Sequence, residues 1–266
     1  MRTVVVVQAR AGSTRLPGKV LMPLGQSTLI EQMLARLAVA KTPDAIVVAT
    51  TVDPADDAIV QAASRAGVAC YRGHPTDLLD RHYRVAREAR ADVVVKVPSD
   101  CPLIDPHVVD RVVQAHIASG RSDYTSNLHP ETYPDGSDVE AIAYDALAEA
   151  WREAKMPHER EHTTPFFWDQ PGRFALTNVT WEAGRNVSRT HRVVVDYPED
   201  YEVIRTVFQA LWAPMRPVFS VADIVDFLDA HDEIRLRNAS RFGASWQSRE
   251  KVNLRTAHPG RAERRA

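Results

Sequence analysis

Residues 3–19 read TVVVVQARAGSTRLPGK. The four valines Val4–Val7 are β-branched and unbroken by polar residues, which predicts a strand covered on both faces rather than one. The chain then leaves that strand through a short turn carrying Arg10, Arg15 and Lys19, punctuated by Gly12, Pro17 and Gly18. Three cations this close repel one another unless they receive an anion, and such a turn can line a concave nest with backbone N–H groups. At the carboxyl end of a buried strand a polyphosphate is the natural guest. The alternative is a surface turn whose cations reach into solvent.

Two familiar phosphate loops do not fit. The dinucleotide fingerprint GxGxxG is absent from the turn. The P-loop requires four residues between its glycines and then Lys-Ser/Thr, whereas five separate Gly12 from Gly18 and Val20 follows Lys19.

Outward from the turn, β-branched runs alternate with capped helical patterns. Thr28 and Glu31 have capping-box spacing before a helix to about Lys41. AIVVATT predicts a second strand, Asp53-Pro54 opens a helix ending at Gly67, and VACY is a third strand. Thr76 is expected to open the helix over TDLLDRHYRVAREAR; DVVVKV follows as a strand, and Asp105-Pro106 starts a helix that stops at Gly120. This βαβαβαβα order with continuous apolar strands predicts an α/β, doubly wound, mostly parallel sheet, with ligands at the carboxyl ends of its strands. Between residues 122 and 189 the rhythm breaks into Pro- and Trp-containing stretches with short strands in DVEAIAY and FALTNVT, expected to form a smaller substrate-side subdomain. RVVVD is read as a core strand, and YPEDYEVIRTVFQALW and SVADIVDFLDAH as helices. The domain is taken as residues 1–240. In 241–266 the pattern disappears and, from Arg249 on, six Arg or Lys outweigh two Glu, as expected of a disordered basic tail.

The 266 residues suffice for a sizeable core. With 33 Lys+Arg against 35 Asp+Glu, a net charge of -2, no global field favours nucleic acid or a membrane surface, so anion recognition must be local. Cys70 and Cys101 have no CxxC spacing and no disulfide-framework density, which suits a reducing compartment. The run Val4–Val7 is too short to cross a bilayer or to form a signal-peptide core, and the expected location is cytoplasmic.

Phosphate groups among cations bring magnesium, which takes one or two carboxylates, phosphates and waters. Asp100, after DVVVKV, and Asp196, closing RVVVD, fall at expected strand ends beside the first turn. Read structurally, Asp100 is a turn residue and Asp196 caps the helix from Pro198.

In order, QARAGSTRLPGK, YRGHPTDLLDR, VPSDCPLID, PDGSDVE, EREHTTP and VDYPED resemble the cytidylyltransferase family that includes the acylneuraminate and KDO cytidylyltransferases, and most of all its spore coat polysaccharide branch. The likeness runs over about residues 2 to 235. It implies a Rossmann-like fold of the nucleotide-diphospho-sugar transferase type. It also implies attack by an acceptor oxygen on the α-phosphorus of CTP, release of pyrophosphate, and a homodimer formed through 122–189. By that resemblance Arg10, Arg15 and Lys19 hold the triphosphate, together with Ala9, Gly12, Ser13, Ser99 and Arg81, while Asp100 and Asp196 hold Mg2+. The acceptor is a sugar acid or a phosphorylated small molecule. The related guanylyltransferases of molybdenum cofactor synthesis carry a glycine pair where this chain has Ala9-Arg10. Where many relatives show Arg-x-Thr-Val-Asp-Thr, this chain reads RVVVDY over residues 192–197, without the hydroxyls.

His158-Glu159-Arg160-Glu161-His162 also matches the zinc-protease pattern HExxH. Pro157 and Pro165 leave that helix about two turns, and its residues are nearly all polar, which disfavours a protease. In the cytidylyltransferase reading Glu161 and His162 face the acceptor, as do Asp138 and Glu140, which alternate on one face of the strand after Asp135-Gly136. Other readings remain open: another nucleotide, a phosphonate or phosphate acceptor, or a nucleotide-binding module without catalysis.

Overall fold

The computed structural model describes residues 1–170, 172–243 and 254. Of the tail expected to be disordered from residue 241, Arg241 instead closes a 3-10 turn, Ala239–Arg241, and Phe242, Gly243 and Leu254 are described; the other residues of 241–266 lie outside the described residues. From the amino terminus the elements are β1 (Thr3–Gln8), β2 (Pro23–Leu24), β3 (Ser27–Thr28), α1 (Leu29–Leu37), β4 (Ala45–Thr51), α2 (Asp57–Arg65), β5 (Ala69–Gly73), α3 (Leu78–Ala89), β6 (Val93–Pro98) and α4 (Pro106–Ser119). They continue with β7 (Tyr124–Ser126), β8 (Glu140–Ala143), α5 (Tyr144–Glu153), α6 (Pro157–His162), α7 (Pro165–Trp168), β9 (Leu176–Asn178), α8 (Pro198–Leu211), α9 (Val221–Ala230) and α10 (Asp232–Arg235).

Seven strands form one sheet in the order β5-β4-β1-β6-β8-β7-β9. β5, β4, β1 and β6 run parallel; β8 is antiparallel to both β6 and β7, and β9 is parallel to β7. This is the mostly parallel α/β sheet that the continuous apolar runs predict. Val4–Val7 have no exposed surface, because period-2 alternation sends Val5 and Val7 against α1 and α4 while Val4 and Val6 meet α3 and α5. Each such burial contributes about 1.5–3 kcal/mol. A third cluster joins Leu24 and Leu29 to Val193, Val195, Phe208, Phe219 and Leu228. The stretch 122–189 sends β7, β8 and β9 into the same sheet, and its Phe166 and Phe167 into the core on the α3 side.

Several caps match the sequence. Thr28 and Glu31 form the capping box of α1, and Asp105 Oδ1 accepts from His107 N at 2.9 Å at the start of α4. Two expectations are corrected. The cap of α3 is Asp77 rather than Thr76: its Oδ1 accepts from Asp80 N at 2.9 Å. RVVVD is not a strand of the sheet. Residues 192–196 run extended between two loops, with Val193 N donating to Asp135 O at 2.7 Å and Val195 N to Asp100 O at 2.8 Å. An apolar run beside loop carbonyls reads like a strand although no strand flanks it, since Val193 and Val195 are buried by helices α8 and α9 instead, while Val194 lines the cleft.

A cleft at the carboxyl ends of the strands

The basic turn is held by a buried carboxylate. Asp56 accepts from Ala11 N at 2.7 Å and from the hydroxyls of Thr50 and Thr51. Burial alone would raise its pKa, but these donors outweigh it and hold the carboxylate below its usual range. Gly18 adopts φ 67°, a left-handed conformation that most side chains resist, and so delivers Lys19 into a single 3-10 turn.

Lys19 is 8% exposed, and its Nζ donates to Asp100 Oδ2 at 3.1 Å, Asp196 Oδ1 at 2.9 Å and Val195 O at 2.6 Å. Arg15 Nη2 meets the same Asp196 Oδ1 at 2.6 Å. Burial works against the ammonium, yet the two carboxylates outweigh it and raise Lys19 above its ordinary value. For Asp196 burial is likewise the largest influence, and Lys19, Arg15 and Arg192 overcome it to lower its pKa. Asp196 does not cap α8, contrary to the bland reading of VDYPED. Asp200 takes that role: its Oδ2 accepts from both Asp196 N and Tyr197 N at 3.0 Å, leaving the Asp196 side chain turned to the cations.

These groups border one cleft of about 540 Å³, of a size suited to a small-molecule ligand. Of the expected nucleotide-side residues, Ala9, Arg10, Ser13, Arg15, Lys19, Arg81, Ser99, Asp100 and Asp196 line it; Gly12 lies in the turn but outside the lining. Arg81 is a buried cleft residue rather than a helix-surface cation. Its Nη1 donates to Ala49 O at 3.0 Å, and burial, then repulsion from Arg10, lowers its pKa to about 10. Arg81 Nε and Gln8 Oε1 are buried without hydrogen-bond partners among the described residues, so the inner wall offers an unused donor and an unused acceptor.

The expected acceptor-side residues Asp138, Glu140, Glu161 and His162 line the same cleft. Alternation puts Asp138 and Glu140 on one face, but Asp138 is partly exposed and Glu140 is buried. Glu140 is buried, pairs with Lys96, and accepts from Tyr124 Oη at 2.6 Å. Asp138 precedes the strand, where burial and then the charges of Asp135, Asp100 and Glu140 push its pKa well above the usual value. In the HExxH stretch, Glu159 Oε2 accepts from Lys155 N at 3.2 Å and Met156 N at 3.1 Å. The residue a protease would use as base thus caps its own short helix.

Sequence reasoning missed Lys96, His129, Asp135 and Arg192, all of which line the cleft. Arg192 is 4% exposed and forks onto Asp200 through Nε and Nη2 at 2.8 and 2.9 Å, with Nη1 on Asp135 Oδ2 at 2.6 Å. The lone cation inside VVVKV was a usable signal for Lys96, because a lysine inside an apolar strand requires a partner.

Comparison with known proteins bears on this cleft. The chain is 30% identical over 233 residues to the spore coat polysaccharide biosynthesis protein SpsF of Bacillus subtilis, covering 86% of this chain and 94% of that one. A 3-deoxy-manno-octulosonate cytidylyltransferase of Anaeromyxobacter dehalogenans is 32% identical over 161 residues, 59% of this chain and 65% of that one. The solved structure of a cytidylyltransferase from Leptospira borgpetersenii superposes with a TM-score of 0.83 at 31% identity, over 88% of this chain and 96% of that one. The sequence model of one family, described as Cytidylyltransferase, matches residues 4–220, which include the basic turn and both aspartates beside Lys19. The chain is therefore a nucleotidyltransferase and belongs to the cytidylyltransferase family.

Proposed function

We propose that the cleft transfers a cytidylyl group from CTP to an oxygen of a small acceptor, a sugar acid or a phosphorylated small molecule of polysaccharide biosynthesis, and releases pyrophosphate. The observation that carries this reading is the convergence of Arg15 and Lys19 on Asp196, with Asp100 sharing the same ammonium. An acceptor oxygen attacks the α-phosphorus, the bond from that phosphorus to the β-phosphate bridging oxygen breaks, pyrophosphate leaves with the electron pair, and a hydroxyl acceptor passes its proton to water. Such chemistry is accelerated chiefly by positioning and by neutralising charge. Arg10, Arg15 and Lys19 supply the cations. Lys19 and Arg15 exchange their carboxylate partners for phosphate oxygens when the nucleotide enters, while Ala9, Gly12, Ser13, Ser99 and Arg81 form its surround.

The donor set fits Mg2+. Asp100 Oδ2 and Asp196 Oδ1 approach one ammonium within 3.1 Å and so face a common point, and two carboxylates completed by phosphates and waters are the usual magnesium complement. Asp100 and Asp196 would hold the ion, which supplies further neutralisation of phosphate charge. On the other side Asp138, Glu140, Glu161 and His162 hold the acceptor. Burial, then the charges of Asp135, Asp100 and Glu140, raises the Asp138 pKa and so favours its hydrogen-bond-donating form toward the acceptor. The proposal includes residues 1–240 as the catalytic domain, pairing of two copies through 122–189, and action in the cytoplasm without nucleic acid. No described helix is long and apolar enough to cross a membrane.

Pyrophosphate release with CTP, Mg2+ and a panel of sugar acids, phosphates and phosphonates tests the reaction. Thermal shifts with CTP, ATP, GTP and UTP test the base, since a ligand at 100 times its dissociation constant adds about 2.7 kcal/mol. Equal shifts for all four nucleotides would remove the cytidine assignment, and binding without turnover on any acceptor would favour a non-catalytic module.

A further inference from the structure

Tyr197 touches two arginines. Arg15 Cζ lies 5.4 Å and Arg241 Cζ 4.1 Å from its ring centroid, both within cation–π range. Each guanidinium is also paired, Arg15 with Asp196 at 2.6 Å and Arg241 with Glu199 at 2.9 Å, which offsets the repulsion between two cations sharing one ring. Arg241 closes a 3-10 turn, Ala239–Arg241, beyond the family match that ends at residue 220.

The same segment reaches the Asp196 loop at two further points. Asn238 Nδ2 donates to Arg192 O at 3.1 Å and to Asp200 Oδ1 at 2.9 Å, and Asp200 holds the backbone amides of Asp196 and Tyr197. Phe242 and Gly243 line the cleft itself. A long arginine gains affinity for an anion when its rotamer freedom is removed before binding. Arg15 must leave Asp196 to meet phosphate, and a ring beside its guanidinium can accompany it through both states.

We infer that Tyr197 and Arg241 are positioning residues for Arg15, and that residues 238–243, outside the region matched by the family, form part of this chain's triphosphate site. This rests on reading the cleft as a triphosphate site.

The test is calorimetric titration of the full chain with CTP plus Mg2+ and, separately, with cytidine, which carries no phosphate. Tyr197→Leu and Arg241→Ala are expected to weaken CTP about tenfold and leave cytidine unchanged, the size of one cation–π contact in a partly desolvated site. Tyr197→Phe keeps the ring and is expected to bind both ligands as the wild type does. Wild-type CTP affinity in Tyr197→Leu and Arg241→Ala overturns the inference, as do equal losses for CTP and cytidine. Should Tyr197→Leu fail to fold, Arg241→Ala decides, because Arg241 sits at a half-exposed position. A wild-type chain that binds neither ligand sinks the parent reading and this inference with it.

Discussion

Asp196 and Asp138 border one cleft, yet their surroundings move their pKa values in opposite directions. Burial penalises the charged form of both. Lys19, Arg15 and Arg192 lower the pKa of Asp196, whereas Asp135, Asp100 and Glu140 raise that of Asp138 and Lys96 only partly opposes them. Lys96 is itself committed to Glu140. Among the described residues the two buried lysines differ in the same way: Lys19 is shared between two carboxylates and a carbonyl, whereas Lys96 is matched with the single carboxylate of Glu140. The cations in reach decide which way a buried carboxylate's pKa moves.

The largest expected effect comes from breaking the acceptor-side pair. Lys96→Met leaves Glu140 buried and uncompensated, and urea unfolding should show a loss of about 3–5 kcal/mol. The double change Lys96→Met with Glu140→Gln should recover most of it; a single change costing under about 1 kcal/mol would show that the pair is not effectively desolvated. Next, Asp196→Asn is expected to lower kcat by about 10²–10³-fold in a folded protein, as when one preorganised electrostatic contact is lost. Asp138→Asn, an isostere that removes a carboxyl whose pKa is already raised, is expected to stay within a few-fold of wild type near neutral pH. Equal losses in the two variants would erase the distinction drawn between the aspartates.

Gly136→Ala tests how the two sides are joined. Gly136 has φ 104°, and an added Cβ would lie 2.5 Å from the backbone of Val193 and Val194, the segment leading to Asp196. A strained backbone of this kind costs about 1–3 kcal/mol, to be read as a lower denaturation midpoint; an unchanged midpoint would mean that the segment yields freely. The smallest effect is a pH slope. A carboxyl whose folded pKa exceeds its unfolded value keeps a proton that the unfolded chain has lost. The Asp138 contribution to stability therefore falls as pH rises above its unfolded value of about 3.8, and Asp138→Asn should remove that slope. Asp196 acts in the opposite sense: its stabilisation is present above 3.8 and is lost as pH falls through its lowered folded value. Stability curves of wild type and Asp138→Asn that stay parallel from pH 4 to 8 would contradict this assignment.

Much of the nucleotide side was legible in advance because its signals are local. Val4–Val7, the Thr28/Glu31 box and the Asp105-Pro106 start each act within a few residues, and the basic turn follows its strand directly. The acceptor side was less legible. Glu140 alternates with Asp138 in sequence, but its partners Lys96 and Tyr124 stand 44 and 16 residues away, so periodicity could not show that it is neutralised. RVVVD misled because burial by helices leaves the same apolar signature as burial by strands.

Residue order by itself determined the parallel sheet, the cations at the end of its first strand and the family resemblance, because strand burial, capping and turn chemistry are free energies of neighbours along the chain. Tertiary structure decided which way each carboxylate's pKa moves. Lys19 meets Asp196 across 177 positions, and Asp200 takes over the helix cap so that Asp196 can face the cleft. Charge states in a buried site depend on every group within a few ångströms, and that neighbourhood exists only after distant segments have packed.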